Sequence, residues 1–234
     1  YGGGALHDSG IIYWATRCGS LFYPPYVQND GTYTIDRGNL TTGTCGSGEG
    51  NNTLLALRAE DGELEWSLDL PYGAASTPYV TDSFVYVASM GTLYIIDRTG
   101  VKAGLANRTI QLYDCSNLGS CGKYASSSST SLVPGATLCA VPSLKLLRDY
   151  FLATSTAEPS PVAGLHNDIV VPFYTCVFSV SNTKKQILAS FDAAASGSTK
   201  YSSSSAYMRY AAAVSAFDLR YYVGDDVGRL HALK

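Results

Sequence analysis

The stretch Ser76-Thr-Pro-Tyr-Val-Thr-Asp-Ser-Phe-Val-Tyr-Val-Ala-Ser-Met-Gly-Thr-Leu-Tyr-Ile-Ile-Asp-Arg-Thr-Gly100 decides the fold. It divides into short segments of β-branched and aromatic residues, which suit a pleated and half-buried surface. Thr77 to Val80 reads as one strand, Phe84 to Ser89 as a second and Thr92 to Ile96 as a third. Asp82-Ser83 turns the chain between the first two, because Asp bonds its own backbone in tight turns. Met90-Gly91 turns it between the next two.

The same unit recurs, and internal recurrence outranks any local signal. Near the end, Tyr221-Tyr-Val-Gly matches Val85-Tyr-Val-Ala, Asp218 matches Asp82, and Leu230-His-Ala-Leu matches Leu93-Tyr-Ile-Ile. Ala5-Leu-His-Asp8-Ser-Gly-Ile-Ile-Tyr-Trp-Ala15 is a third copy. Ser160-Pro-Val-Ala-Gly-Leu-His-Asn-Asp168-Ile-Val-Val-Pro-Phe-Tyr174 is a fourth. A fifth, weaker copy is Leu132-Val-Pro-Gly-Ala-Thr-Leu-Cys-Ala-Val141, with Pro-Gly in place of the Asp turn. Leu54 to Ser67 supplies a third strand, a Gly turn and a fourth strand. It completes the first copy after an insertion at about 17–50.

Each full unit is therefore a four-stranded antiparallel meander. Such a sheet cannot bury both faces alone, whereas radial packing covers each sheet with its neighbour. The expectation is an all-β chain, a β-propeller of about five or six blades, incomplete or closed, in one domain spanning 1–234. Irregular loops are expected at about 101–130 and 193–206. A β-sandwich is the competing arrangement.

Ala56-Leu-Arg-Ala-Glu-Asp-Gly62-Glu-Leu-Glu-Trp66 resembles the tryptophan-docking motif of quinoprotein-type (PQQ-like) β-propellers. The strand pattern of Thr77 to Gly100 resembles the same repeat. The resemblance covers 1–100 and 206–234 well and 101–205 poorly. It implies that Gly62 makes a turn and that Trp66 stacks between adjacent blades. The chain departs from the family at Arg58, where the family carries an acid, and at Lys234, which stands where Asp97 stands in the second unit. The quinone dehydrogenases of that family use adjacent cysteines and a calcium site. This chain has no adjacent cysteines and shows no calcium constellation, so no cofactor is expected.

The 234 residues carry 46% hydrophobic but only 15% charged side chains, with a net charge of −3. That balance argues against nucleic acid as a partner. No apolar run approaches the ~18 residues of a membrane span. Six cysteines stand at Cys18, Cys45, Cys115, Cys121, Cys139 and Cys176. None forms a CxxC pair, so disulfides and an oxidising compartment are expected. Pairing in sequence order joins Cys18 to Cys45, Cys115 to Cys121 and Cys139 to Cys176. The last two are placed in matching second strands, and fifteen connectivities remain open. Sequons at Asn39, Asn51 and Asn107 lie in loop stretches and point to N-linked glycans.

Other constellations carry the plain reading. His7 and His166 stand just before their Asp turns as turn decoration. His231 reads as a surface strand residue, and Asp225-Asp226 as a solvated turn. Glu60-Asp61-Gly62-Glu63 reads as a polar hairpin turn, and no hydrolase elbow or Walker lysine is present. The serine runs 126–131 and 202–205 read as loops or O-glycan carriers. Eighteen tyrosines favour protein contact over catalysis. The expected function is a non-catalytic extracellular scaffold, a structural subunit of a cell-surface or filamentous assembly that binds proteins or itself. The alternatives are a quinoprotein-like oxidoreductase fragment and an envelope-assembly propeller scaffold.

Overall fold

A computed structural model describes residues 3–15, 26–27, 33–34, 53–70, 76–89, 91–98, 108–114, 130–143, 146–147, 150, 159–165, 167–182, 184, 186–194, 207–208 and 210–234. Almost all of the regular structure there is β. Blade 1 contains β1 (Gly4–His7) and β2 (Ile11–Ala15). A small hairpin of β3 (Tyr26–Val27) and β4 (Tyr33–Thr34) lies inside the insertion. Blade 1 then resumes with β5 (Thr53–Arg58) and β6 (Leu64–Asp69), in the order β1-β2-β5-β6.

Blade 2 follows as β7 (Tyr79–Val80), β8 (Phe84–Ser89), β9 (Thr92–Asp97) and β10 (Arg108–Gln111). β11 (Ser131–Leu132) comes next. Blade 3 is built from β12 (Val162–Ala163), β13 (Asp168–Phe173), β14 (Cys176–Ser181) and β15 (Gln186–Asp192). Blade 4 is β16 (Ala213–Ser215), β17 (Arg220–Gly224) and β18 (Leu230–Leu233). Apart from the β11 pair, every strand pair in the four blades is antiparallel, as short meander turns require.

The weak fifth unit is not a blade. Its Pro134-Gly135 does turn the chain: Gly135 has φ 92° and Ala136 N–H donates to Val133 O at 3.0 Å. That is the backbone a Pro-Gly pair favours. The flanks do not pair with each other, however. β11 runs parallel to β15 on the outer edge of blade 3. Cys139 bridges Tyr113, just past β10 of blade 2. The segment is a strap joining two blades, because its backbone groups find partners on both: Cys139 N–H donates to Leu112 O, and Thr137 N–H to Ser190 Oγ.

Side-chain alternation builds the core. Successive strand residues face opposite sides. In blade 2, Val85, Val87, Tyr94 and Ile96 face blade 1 and cluster with its Tyr13, Ala15, Leu54, Ala56 and Trp66. Tyr86, Ala88, Leu93 and Ile95 face the other way, onto Ile169, Val171, Phe173, Phe178 and Val180 of blade 3. The opposite face of blade 3 sets Val170 and Val177 against Tyr221 and Val223 of blade 4. Blades 2 and 3 are thus apolar on both faces, as a radial array demands.

Candidate interaction surfaces

The face pattern repeats residue for residue. In blade 1 Tyr13 pairs with Ala56 and Ala15 with Leu54. In blade 2 the corresponding pairs are Tyr86 with Ile95 and Ala88 with Leu93. These positions form the forward face of each blade, which docks on the next. The backward face of blade 2 has Val85 opposite Ile96 and Val87 opposite Tyr94. Its counterparts in blade 1 are Ile12 opposite Leu57 and Trp14 opposite Leu55.

The two backward faces differ in exposure. Val85, Val87 and Ile96 are completely buried, whereas Trp14 is 45% and neighbouring Leu6 68% exposed. The Trp14 indole lies against Gly4, where a Cβ would meet it at 2.7 Å. Leu64 at the start of β6 extends the same apolar surface. At the other end, blade 4 carries a forward face of its own. Tyr222 pairs with Ala232 and Gly224 with Leu230. This is the Tyr-x-small and Leu-x-Ala arrangement of blade 1, and here Leu230 is 70% exposed.

A third apolar feature sits on the rim. The turns between first and second strands are polar in blades 1 and 2: Asp8-Ser9-Gly10 and Thr81-Asp82-Ser83. In blade 4 the turn carries Phe217, which is 100% exposed, and Leu219. Leu219 holds φ 55°, a left-handed conformation that costs a non-glycine residue about 1–2 kcal/mol. Asp218 between them accepts the Tyr222 hydroxyl and lies below the ordinary carboxylate range, chiefly because of that hydrogen bond. The turn therefore presents a fixed apolar knob.

The polar rim groups serve the architecture. His7 lies within 2.9 Å of Ser9 Oγ and 3.4 Å of Asp82 Oδ1, and Arg98 donates to Ser9 Oγ at 3.0 Å. These contacts tie blade 1 to blade 2. His166 lies outside the described residues. Arg58, the departure from the family pattern, gathers Asp61, Glu63 and Glu65 around the β5–β6 turn.

Asp225 is no solvated residue. Its carboxylate is fully buried and accepts Val227 N–H at 3.2 Å, Arg229 N–H at 2.8 Å and Arg229 Nε at 2.6 Å. His231 Nε2 adds a fourth donor at 2.9 Å, so His231 is not a free surface residue either; its ring also packs on Phe191. Burial alone would raise the Asp225 pKa, yet these donors hold it below the ordinary carboxylate range. Asp226 accepts the Tyr207 N–H. Among the described residues no group of three or more His, Cys, Asp or Glu side chains could hold a metal ion.

Of the other sequence-derived sites, Gly62 sits in the β5–β6 turn at φ +74°. Trp66 is buried in the cluster shared by blades 1 and 2, 5.7 Å from the Tyr13 ring. Cys139 and Cys176 form a disulfide. They do not occupy matching second strands: Cys139 lies in the strap and Cys176 opens β14, the third strand. The turn at Tyr174-Thr175, with Tyr174 at φ 54°, ends the second strand earlier than its apolar run suggests. Cys18, Cys45, Cys115, Cys121, Asn39, Asn51 and Asn107 lie outside the described residues.

The family described as outer membrane protein assembly factor BamB matches residues 5–141, more than half the chain. The chain belongs to this family. BamB from Moraxella catarrhalis has a similar structure, with a TM-score of 0.52 at 13% identity. The match covers 99% of this chain and 48% of that one, so this chain spans about half the length of that BamB. The glutaminyl cyclase of Myxococcus xanthus matches at a TM-score of 0.37 and 10% identity, over 98% of this chain and 72% of that one, too distantly to inform the reading. No curated protein matches. The BamB-like chain is thus a β-propeller of PQQ-like repeats, and among its described residues no helix is long and apolar enough to cross a membrane.

Proposed function

We propose that this BamB-like protein is a non-catalytic scaffold that holds other proteins during assembly of an extracytoplasmic structure. The observation that carries the reading is the Phe217–Leu219 knob. An exposed aromatic residue on a fixed turn costs little entropy to bury, and such residues dominate protein-binding energy. Its counterparts in blades 1 and 2 are polar, so the repeat itself does not require it.

The family name supports work in assembly, and outer membrane protein assembly is the finer form of the proposal. The Cys139–Cys176 disulfide supports an oxidising compartment. A secreted or cell-surface glycoprotein is the second reading, and the sequons at Asn39, Asn51 and Asn107 support it over outer membrane protein assembly.

Site-specific photocrosslinking tests the reading. A photoreactive residue at 217 is expected to give a discrete protein adduct that Leu219→Asp abolishes. The same probe at Asp82, in the equivalent polar turn of blade 2, is expected to give none. Equal adducts from both positions would contradict the proposal.

A further inference from the structure

We propose that the strap between blades 2 and 3 is a hinged latch, which lifts at its Thr130 end, bends at Pro134-Gly135 and stays anchored at Cys139. The inference goes beyond client binding and uses residues other than the Phe217 knob.

The two ends of the strap are held differently. Beyond the turn, Cys139 is buried and bonded to Cys176, while Ala136 and Leu138 pack on the core shared by blades 2 and 3. Cys139 N–H donates to Leu112 O, and Asp114 N–H donates to Cys139 O. Before the turn, Ser131 and Leu132 are exposed. They pair with β15 in parallel, the slightly weaker ladder per residue, and Val133 N–H adds one bond to Ile187 O at 3.1 Å. On the blade 2 side Thr130 holds with its hydroxyl. Its Oγ1 accepts the Gln111 N–H at 2.9 Å and donates to the Gln111 carbonyl at 3.2 Å. Gly135, at φ 92° with nothing within 4 Å of where a Cβ would stand, leaves the bend uncrowded.

The Gln111 side chain supplies the drive for release. It is 7% exposed, and neither its Nε2 nor its Oε1 has a hydrogen-bond partner among the described residues. Alternation along β10 turns it away from Ile110 and Leu112, which pack toward blade 3, and sets it beside its cross-strand neighbour Thr92. A carboxamide sealed without partners destabilises the closed state, because water would satisfy it. The residue whose backbone Thr130 clasps is therefore the one with most to gain from opening. Lifting Thr130 frees the end of β10 to move and its carboxamide to hydrate, which offsets part of the bonding lost at Thr130 and β11. Nothing at the Cys139 end offers a comparable return, so the strap opens from Thr130.

Amide hydrogen exchange, resolved residue by residue by NMR on the 234-residue chain, tests the latch. The Val133 and Gln111 amides are expected to exchange together and well ahead of the Cys139 amide, as a local opening requires. Gln111→Met removes the unpartnered carboxamide at similar volume. It should slow exchange at Val133 about tenfold and leave Cys139 unchanged. Thr130→Val removes the clasping hydroxyl and should speed exchange at Val133 by about the same factor. Equal protection of Val133 and Cys139 in the wild type would overturn the proposal. Unchanged or faster exchange at Val133 in Gln111→Met would overturn it too, since the carboxamide would then be satisfied in the closed state. Unchanged exchange in Thr130→Val would do the same. Should Gln111→Met fail to fold, the wild-type comparison and Thr130→Val carry the test. Loss of the 217 adduct would leave these rates unchanged, so the two readings fail separately.

Discussion

The Tyr221 hydroxyl of blade 4 donates to the Asp168 carboxylate of blade 3, 3.2 Å from each oxygen. The same hydroxyl accepts the Leu165 N–H at 3.0 Å, and Ser179 Oγ donates to Asp168 as well. A buried charge is tolerable only when its lone pairs are met. Burial, followed by the nearby negative charge, pushes the Tyr221 pKa above its usual value, so the phenol stays protonated and keeps donating. Blades 3 and 4 are joined by this link as well as by apolar packing.

Tyr221→Phe keeps the ring and removes the link. It leaves a part-buried amide and a buried carboxylate each one hydrogen bond short, which costs about 1–3 kcal/mol. Urea denaturation should show a lower midpoint with an unchanged slope. A midpoint equal to wild type would mean that water replaces the hydroxyl.

Asp225 predicts a pH dependence. Its folded pKa lies below that of the unfolded chain, which sits near ~3.9. On acidification the unfolded state takes up the proton first. The carboxylate's contribution is therefore complete above the unfolded pKa and disappears as pH falls through the folded one. Asp225→Asn should be less stable than wild type at neutral pH by about 2–3 kcal/mol, since hydrogen bonds to a charged group are lost. The gap should narrow below about pH 4. A gap independent of pH would assign the loss to shape alone.

Two glycines separate strain from crowding. Gly62 and Gly91 both hold positive φ, +74° and +72°. A Cβ at Gly62 meets nothing within 4 Å, so Gly62→Ala should cost about 1 kcal/mol, the left-handed penalty. At Gly91 a Cβ would stand 2.6 Å from Tyr113 and 2.8 Å from Phe173, rings that stack beneath it. Gly91→Ala should cost about 3 kcal/mol or more, because overpacking adds to the strain. Thermal melts of the two variants side by side check the difference.

The Cys139–Cys176 bridge closes a loop with a sequence separation of 37. Loop-closure entropy assigns it about 3–4 kcal/mol. The double variant Cys139→Ala/Cys176→Ala should lose that amount in guanidinium unfolding. It should also expose the strap to proteolysis, since the bridge ties the strap to blade 3.

The repeat was legible because strand alternation and turn chemistry recur together. Phe84 to Ser89 folds as read, the strand read over Thr92 to Ile96 runs one residue further to Asp97, and both faces of blade 2 follow from their alternation. The strap was misread for a physical reason. Pro134-Gly135 does turn the chain, but a local turn does not decide whether its flanks pair with each other or with distant strands. The second strand of blade 3 ends at a turn formed by Tyr174, a residue with no turn preference, so periodicity alone placed Cys176 one strand too early. Asp225 carried a faint signal. Arg229 and His231 follow it at spacings that a tight hairpin folds back onto its carboxylate, but that is visible only once the hairpin register is known. Phe217 was legible in principle, as an apolar residue in a turn whose counterparts in blades 1 and 2 are polar. The exposed faces were not, because exposure depends on which neighbour covers a strand.

Electron micrographs of the natively purified protein test the central claim most directly, namely that these blades pack radially as in a propeller. The account predicts class averages in which the blades fan around a common axis. A two-layered slab of stacked sheets would contradict it.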